Sequence, residues 1–209
     1  MNTKIIASLI AISTVAAAAG AATMAYFSDV ETSTGNTFAA GTLDLKLDSA
    51  DLNVVKFTVT DANPGNSGTG TWVLNNPSSL NGFLDIESVS KTDAENGCGS
   101  DAEKAADATC DVAGDAGELS SKMDVVLFWD DGNASGIANN RIKDGGEKVI
   151  YSGELSAIPA SFDEDYSLVK TGTTYISMTW AVDGASVGNE IQGDSATLGL
   201  SFDLGQNAD

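Results

Sequence analysis

One polar stretch, FWDDGNASGIANNRIKDGGEKVIYSGEL at residues 128–155, is richest in residues that could do chemistry. It supplies six hard oxygen ligands among glycines: Asp130, Asp131, Asn133, Asn139, Asp144 and Glu147. Calcium takes six to eight oxygens from flexible loops, so the stretch predicts a calcium site, although its spacing is not that of an EF-hand. The alternative is a solvated acidic hairpin whose Asp, Asn and Gly residues only form turns. Calcium is therefore a candidate cofactor, and the sequence gives no reason to require one.

Two further features lie in polar segments. Cys98 and Cys110 are expected to form a disulfide in an exported chain, with two free thiols as the alternative. The polar loop region around the two cysteines contains a weaker set of candidate calcium ligands: Asp101, Asp107, Asp111 and Asp115. Asn133 also begins a glycosylation triplet, Asn-Ala-Ser, in a predicted surface loop.

Composition excludes several classes of function. The 209 residues include no histidine, which removes the usual imidazole bases and the zinc sites built on histidine. No catalytic residues are predicted, and the protein is expected not to be an enzyme. A formal charge of −20 argues against nucleic acid as a partner, because phosphate binding needs a basic surface.

The first 25 residues have the pattern of a secretory signal peptide: Lys4, an apolar run, and small residues before Tyr26. The alternative is an uncleaved membrane anchor, but the run is rich in alanine and weakly apolar. We expect a secreted, extracellular protein with no stable membrane insertion after cleavage.

Period-2 alternation of apolar residues dominates the rest of the chain and predicts seven to nine strands separated by Gly and Asn clusters. Helical signal is limited to a turn or two in DAEKAADATC and GELSAIPASF. This pattern predicts an all-β fold, a jelly-roll-like antiparallel β-sandwich with long loop insertions near residues 92–121 and 131–147. The predicted organisation is a signal peptide (1–25), an N-terminal segment with a hinge (26–36), and one β-sandwich domain (37–209).

The segment AYFSDVETSTGNTFAAGTLDL at residues 25–45 resembles the start of proteins in the TasA/camelysin family, which includes fibre proteins of biofilm matrices and archaeal bundling pilins. The shared motif is Phe27, Asp29, Phe38 and the Gly-Thr-Leu-Asp-Leu run at 41–45. The resemblance implies a subunit that polymerises outside the cell by donating an N-terminal strand to its neighbour. The implied donor strand comprises Tyr26, Phe27, Ser28, Asp29, Val30, Glu31 and Thr32, and STGN at 33–36 would be the hinge.

The expected function is therefore that of a structural subunit, whose partner is a second copy of itself in a head-to-tail homopolymer that can bundle with other filaments. Two alternatives remain open. One is a monomeric, calcium-dependent module that binds carbohydrate or a surface. The other is a camelysin-like secreted protease, which the absence of histidine disfavours. The N-terminal segment could also fold back as an edge strand of its own sheet.

Overall fold

The computed structural model describes residues 28–30, 45–47, 57–60, 62–98, 100–132 and 137–208. Several predicted features lie outside these residues: the signal peptide, Tyr26, Phe27, Glu31, Thr32, the hinge at 33–36, and Asn133 with its glycosylation triplet.

The described residues are mostly strand, which confirms the all-β prediction. The strands are β1 (Ser28–Val30), β2 (Lys46–Leu47), β3 (Phe57–Thr60), β4 (Ser67–Asn75), β5 (Gly82–Ala94), β6 (Met123–Trp129), β7 (Val149–Glu154), β8 (Phe162–Leu168), β9 (Thr173–Val182) and β10 (Ser195–Gly205). One short helix, α1 (Asp101–Ala106), and three 3-10 turns (Leu119–Ser121, Leu155–Ala157 and Asn189–Ile191) complete the elements. There are more strands than the seven to nine expected, partly because β7 and β8 are partly exposed edge strands without clean alternation.

Two antiparallel sheets form a sandwich. One has the order β1-β10-β5-β8, with β3 also paired to β10, and the other has the order β2-β4-β9-β6-β7. Apolar side chains from both sheets join in a single core, for example Leu84 and Phe202 from the first sheet and Trp72 and Met178 from the second. The alternating residues of each strand fill this core, as the period-2 pattern requires.

Strand β10 positions the N-terminal segment. Along one side it pairs with β5. Along the other side it pairs with β3 at Ser195–Leu198 and with β1 at Asp203–Gly205. Within the described ranges, residues 199–202 have no strand partner on that second side. Described strands thus cover the edge of β10 at its two ends.

None of the helices described is long and apolar enough to cross a membrane.

Candidate functional sites

The described part of the N-terminal segment, Ser28–Val30, lies on the sheet of its own chain. Ser28 is opposite Gly205, Asp29 is opposite Leu204, and Val30 is opposite Asp203. The pairing is antiparallel and only three residues long, and in the part of the chain described here β10 is the only strand that pairs with β1. In the single chain, the segment therefore occupies the edge position that the fold-back alternative predicted.

The loop after β6 is organised around Asp130, which has no solvent-exposed surface. Its Oδ1 accepts a hydrogen bond from the amide of Asn140 at 3.1 Å. Its Oδ2 accepts from the amide of Arg141 at 2.8 Å and from the hydroxyl of Ser177 at 2.7 Å. This carboxylate ties the loop to strand β9. Three donors already occupy its two oxygens, so its observed role is structural.

Glu147 also accepts hydrogen bonds from backbone amides, at the other end of this loop. It is almost fully buried, and its Oε1 accepts from the amide of Gly132 at 3.3 Å while its Oε2 accepts from the amide of Asp144 at 2.9 Å. Asp131 accepts a hydrogen bond from the hydroxyl of Tyr166 at 3.3 Å. Asn139 lies in the left-handed region, with φ of 57°. The structure thus brings most of the predicted ligands into one loop but uses the buried carboxylates to bind backbone amides. Calcium binding at this loop stays a prediction.

The cysteine loop forms a second organised region. Cys98 and Cys110 are joined by a disulfide with a Cα–Cα distance of 5.0 Å. Ser100 caps α1 in a capping box with Glu103. The loop docks on the segment before β10, because Asn96 Nδ2 donates to the carbonyl of Gly193 at 2.6 Å and Ser100 Oγ donates to Gln192 Oε1 at 2.9 Å. The loop insertion is therefore held against the sandwich at the start of β10.

Where the loop docks, five carboxylates converge. They form two groups that share Glu95, and within each group the ligand oxygens all lie within 4.8 Å of one another. The first group is Glu95, Asp107 and Asp115, and the second is Glu95, Glu118 and Asp194. We call these five residues the acidic cluster. Asp194 has no exposed surface, and the other four are partly buried.

Sequence reasoning found only Asp107 and Asp115 of this cluster. It grouped them with Asp111, which the structure pairs with Lys104, and with Asp101, which lies in the first turn of α1. Glu95 and Asp194 could have been found only by predicting that β5 pairs with β10. Ala94 is opposite Ser195, so the residues immediately beyond these two strand ends meet at the same edge.

Burial and mutual repulsion shift the titration of the acidic cluster. The pKa of Glu95 is raised to about 7, first by burial and then by the hydrogen bond and the charge of Asp194. Burial also raises the pKa of Asp194, although the hydrogen bond from the amide of Glu118 acts to lower it. Burial, followed by the charges of Asp107, Asp194 and Asp115, raises the pKa of Glu118. Asp107 differs, because the hydroxyl and amide of Thr109 hold its pKa below the usual value. The cluster is costly to ionise without a compensating positive charge.

Replacing both cysteines by serine is expected to destabilise the protein. On the chain-entropy model, a disulfide closing a loop of this length contributes about 3 kcal/mol, equivalent to about 6–12 °C in melting temperature for a chain of this size. Thermal melts of the oxidised protein, the reduced protein and the Cys98→Ser/Cys110→Ser variant measure the effect. The reduced protein and the variant should agree within about 2 °C, because both lack the same cross-link. Equal melting temperatures for the oxidised and reduced forms would contradict the prediction.

Fold and sites together define a β-sandwich with a pairing edge at its N-terminal strand and an acidic loop region. The sequence profile of the family described as "Camelysin metallo-endopeptidase" matches residues 1–209, and the chain belongs to this camelysin/TasA family. No curated protein sequence matches the chain. Membership fits a secreted structural or matrix protein.

The description of the family implies a catalytic metal, and the described residues can be tested for one. Catalytic zinc is typically held by histidine, cysteine and carboxylate ligands with one open position. The chain has no histidine, and its two cysteines are joined to each other. The clustered ligand atoms found in the described ranges are all carboxylate oxygens. Such a donor set does not fit a peptidase zinc site, and it suits harder cations.

Proposed function

We propose that the protein is a non-catalytic structural subunit of an extracellular filament, and that it polymerises when its N-terminal segment pairs with the sheet of the next subunit. The observation that carries the proposal is the position of β1. It is a three-residue edge strand, separated from β2 by 15 residues of chain. An edge strand joined to the next strand by this length of chain can be replaced on β10 by the same segment of a neighbour.

Exchange between subunits preserves the pairing that the single chain makes. The donor would meet Asp203, Leu204 and Gly205 of the neighbour in the register of β1. Continuing that register by two residues would bring Glu31 and Thr32 of the donor opposite Phe202 and Ser201, which have no partner on this side among the described strands. Because each subunit gives one segment and accepts another, the contact is head-to-tail and grows an open filament.

Electron microscopy and light scattering of the mature protein test this function directly. We expect filaments whose mass increases with protein concentration and with incubation time. A protein that stays monomeric from micromolar to millimolar concentration, with no filaments on the grid, would support the alternative of a monomeric module that binds carbohydrate or a surface.

The second candidate function is proteolysis, because the family is described as a metallo-endopeptidase. We propose that this chain lacks it, since no described cluster provides nitrogen or thiolate ligands for a catalytic metal. Casein incubated with the purified protein, with and without a chelator, should remain intact. Cleavage that the chelator abolishes would overturn the non-catalytic assignment.

A further inference from the structure

We propose that the acidic cluster is a calcium site that fastens the disulfide loop to the start of β10. It is distinct from the loop at residues 130–147, to which the sequence pointed. Its ligands would be Glu95, Asp107, Asp115, Glu118 and Asp194.

The first support is that the cluster has oxygens with no hydrogen-bonding role. In four of the five residues, one carboxylate oxygen accepts from a backbone amide: Glu95 from Gly97, Asp107 from Thr109, Asp115 from Ala116, and Asp194 from Glu118. The other oxygen of each, together with Oε2 of Glu118, is shielded from solvent and has no donor in the described part of the chain apart from the contact between the carboxyl groups of Glu95 and Asp194 themselves. Buried polar atoms in native proteins are almost always paired, so five such oxygens at one place need an explanation.

Asp194 provides the strongest single observation. It has no exposed surface, and its Oδ2 accepts from the amides of Glu118 at 2.7 Å and Leu119 at 3.2 Å. Its Oδ1 accepts from no backbone amide among the described residues, and the side chain meets the carboxyl group of Glu95. Gly117 packs directly against it, because a Cβ there would lie 3.0 Å from the carboxylate and φ is +74°. The backbone therefore fixes this carboxylate with one oxygen not bound to an amide, as a ligand to a cation requires.

The spacing of the oxygens fits calcium. Calcium–oxygen distances of about 2.3–2.6 Å place two ligands of one ion at most about 5.2 Å apart, and the oxygens of each group lie within 4.8 Å of one another. The ligands come from loops and from the ends of elements rather than from a rigid octahedral frame, which favours calcium over magnesium. The ion pairs found in the described ranges join residues outside the cluster.

A second group of clustered carboxylates differs from the acidic cluster in burial and hydrogen bonding. Asp85, Asp163 and Asp165 also lie within 4.8 Å of one another, but Asp163 is exposed. Oδ1 of Asp85 accepts from the amides of Glu164 and Asp165 at 2.6 and 2.7 Å. This group lacks the set of buried, unpartnered oxygens that marks the acidic cluster.

Calcium titration of chelator-treated mature protein in 150 mM NaCl tests the proposal. Isothermal titration calorimetry should show saturable binding of CaCl2. At one hundred times the dissociation constant, the melting temperature should rise by about 5–10 °C. Magnesium chloride at the same concentration, and NaCl at matched ionic strength, should give smaller shifts. No saturable heat up to 10 mM CaCl2, or equal shifts with all three salts, would overturn the proposal.

Glu118→Gln is the sharpest variant, because it removes one charge and keeps the shape of the side chain. Calcium affinity should fall at least tenfold. In the presence of chelator, the melting temperature should equal or exceed that of the parent, because repulsion within the cluster is relieved. Asp101→Asn, an exposed neighbour in α1, is the matched control and should bind calcium as the parent does. Glu118→Gln with unchanged calcium affinity would reject the site.

Discussion

Mature protein that lacks residues 26–34 is expected to remain a soluble monomer at concentrations where the complete mature protein forms filaments. The deletion removes β1 and the rest of the proposed donor strand, while most of the core side chains lie in β3–β10 and the turns between them. Among the described strand pairs, the deletion removes only the partner of β10 at Asp203–Gly205. A loss of filaments together with a preserved fold is therefore the expected result. Filaments formed by the truncated protein would rule out donor-strand exchange.

Proline scanning provides a matched control for this deletion. Asp29→Pro places a residue without an amide hydrogen in the middle of the strand that pairs with β10, so it should strongly reduce filament mass. Asp29→Ala keeps the amide hydrogen at the same position and should leave filament mass near that of the parent. A synthetic peptide of residues 26–35 added to the truncated protein should raise its melting temperature by pairing with β10. Equal filament mass for Asp29→Pro and Asp29→Ala would contradict the proposed pairing.

Cysteine cross-linking distinguishes pairing within a chain from pairing between chains. Val30 and Asp203 are directly opposed, and opposed residues in antiparallel strands have Cα atoms about 4.5–5.5 Å apart, within the range of a disulfide. The Val30→Cys/Asp203→Cys variant should oxidise to a monomer band when dilute. When the variant is oxidised after it has formed filaments, disulfides should join neighbouring subunits and give a series of covalent oligomers on a non-reducing gel. A monomer band alone from filament samples would show that β1 stays on its own sheet.

Alternation of apolar residues predicted the central strands of the fold. It identified Trp72 and Leu74 in β4 and Ile176 and Met178 in β9, all of which are buried, because each of these strands has one face on the core. It also marked β6, apolar on both faces, as central, and β6 lies between β7 and β9. Edge strands were harder to find. β7 and β8 each have a neighbour on one side only and are partly exposed, so their sequences carry a weak pattern.

Candidate sites depend on pairing over long sequence distances, which limits what a single sequence predicts. The acidic cluster joins Glu95 to Asp194 across 99 positions, and only the pairing of β5 with β10 brings them together. Conversely, the richest acidic stretch of the sequence contains Asp130, whose oxygens are occupied by Asn140, Arg141 and Ser177. Counting oxygen ligands cannot distinguish a carboxylate with a free oxygen from one already bound to amides, because both have the same residue type and similar spacing.

Asp130→Ala is expected to destabilise the protein strongly while leaving calcium affinity intact. The substitution removes the acceptor of two partly buried backbone amides and one hydrogen bond of the buried Ser177 hydroxyl, whose other neighbour is Thr71 Oγ1 at 2.9 Å. Because the two amides are only partly buried, the lower end of the range of about 1–3 kcal/mol per lost partner applies, so we expect a loss of about 3 kcal/mol and a fall of about 6–12 °C in melting temperature. Asp124→Ala, which removes an exposed carboxylate from strand β6, should change the free energy of unfolding by less than about 0.5 kcal/mol.

Calorimetry of the same variant then decides between the two candidate calcium sites. If calcium binds the acidic cluster, Asp130→Ala should keep the parent's dissociation constant at a temperature well below its melting point, whereas Glu118→Gln should not. If calcium binds the loop at residues 130–147, Asp130→Ala should lose calcium affinity, because Asp130 would then be a ligand. Glu118→Gln should then keep the parent's dissociation constant. A loss below about 1 kcal/mol for Asp130→Ala would show that other donors or water replace the three hydrogen bonds, and that Asp130 does not organise the loop.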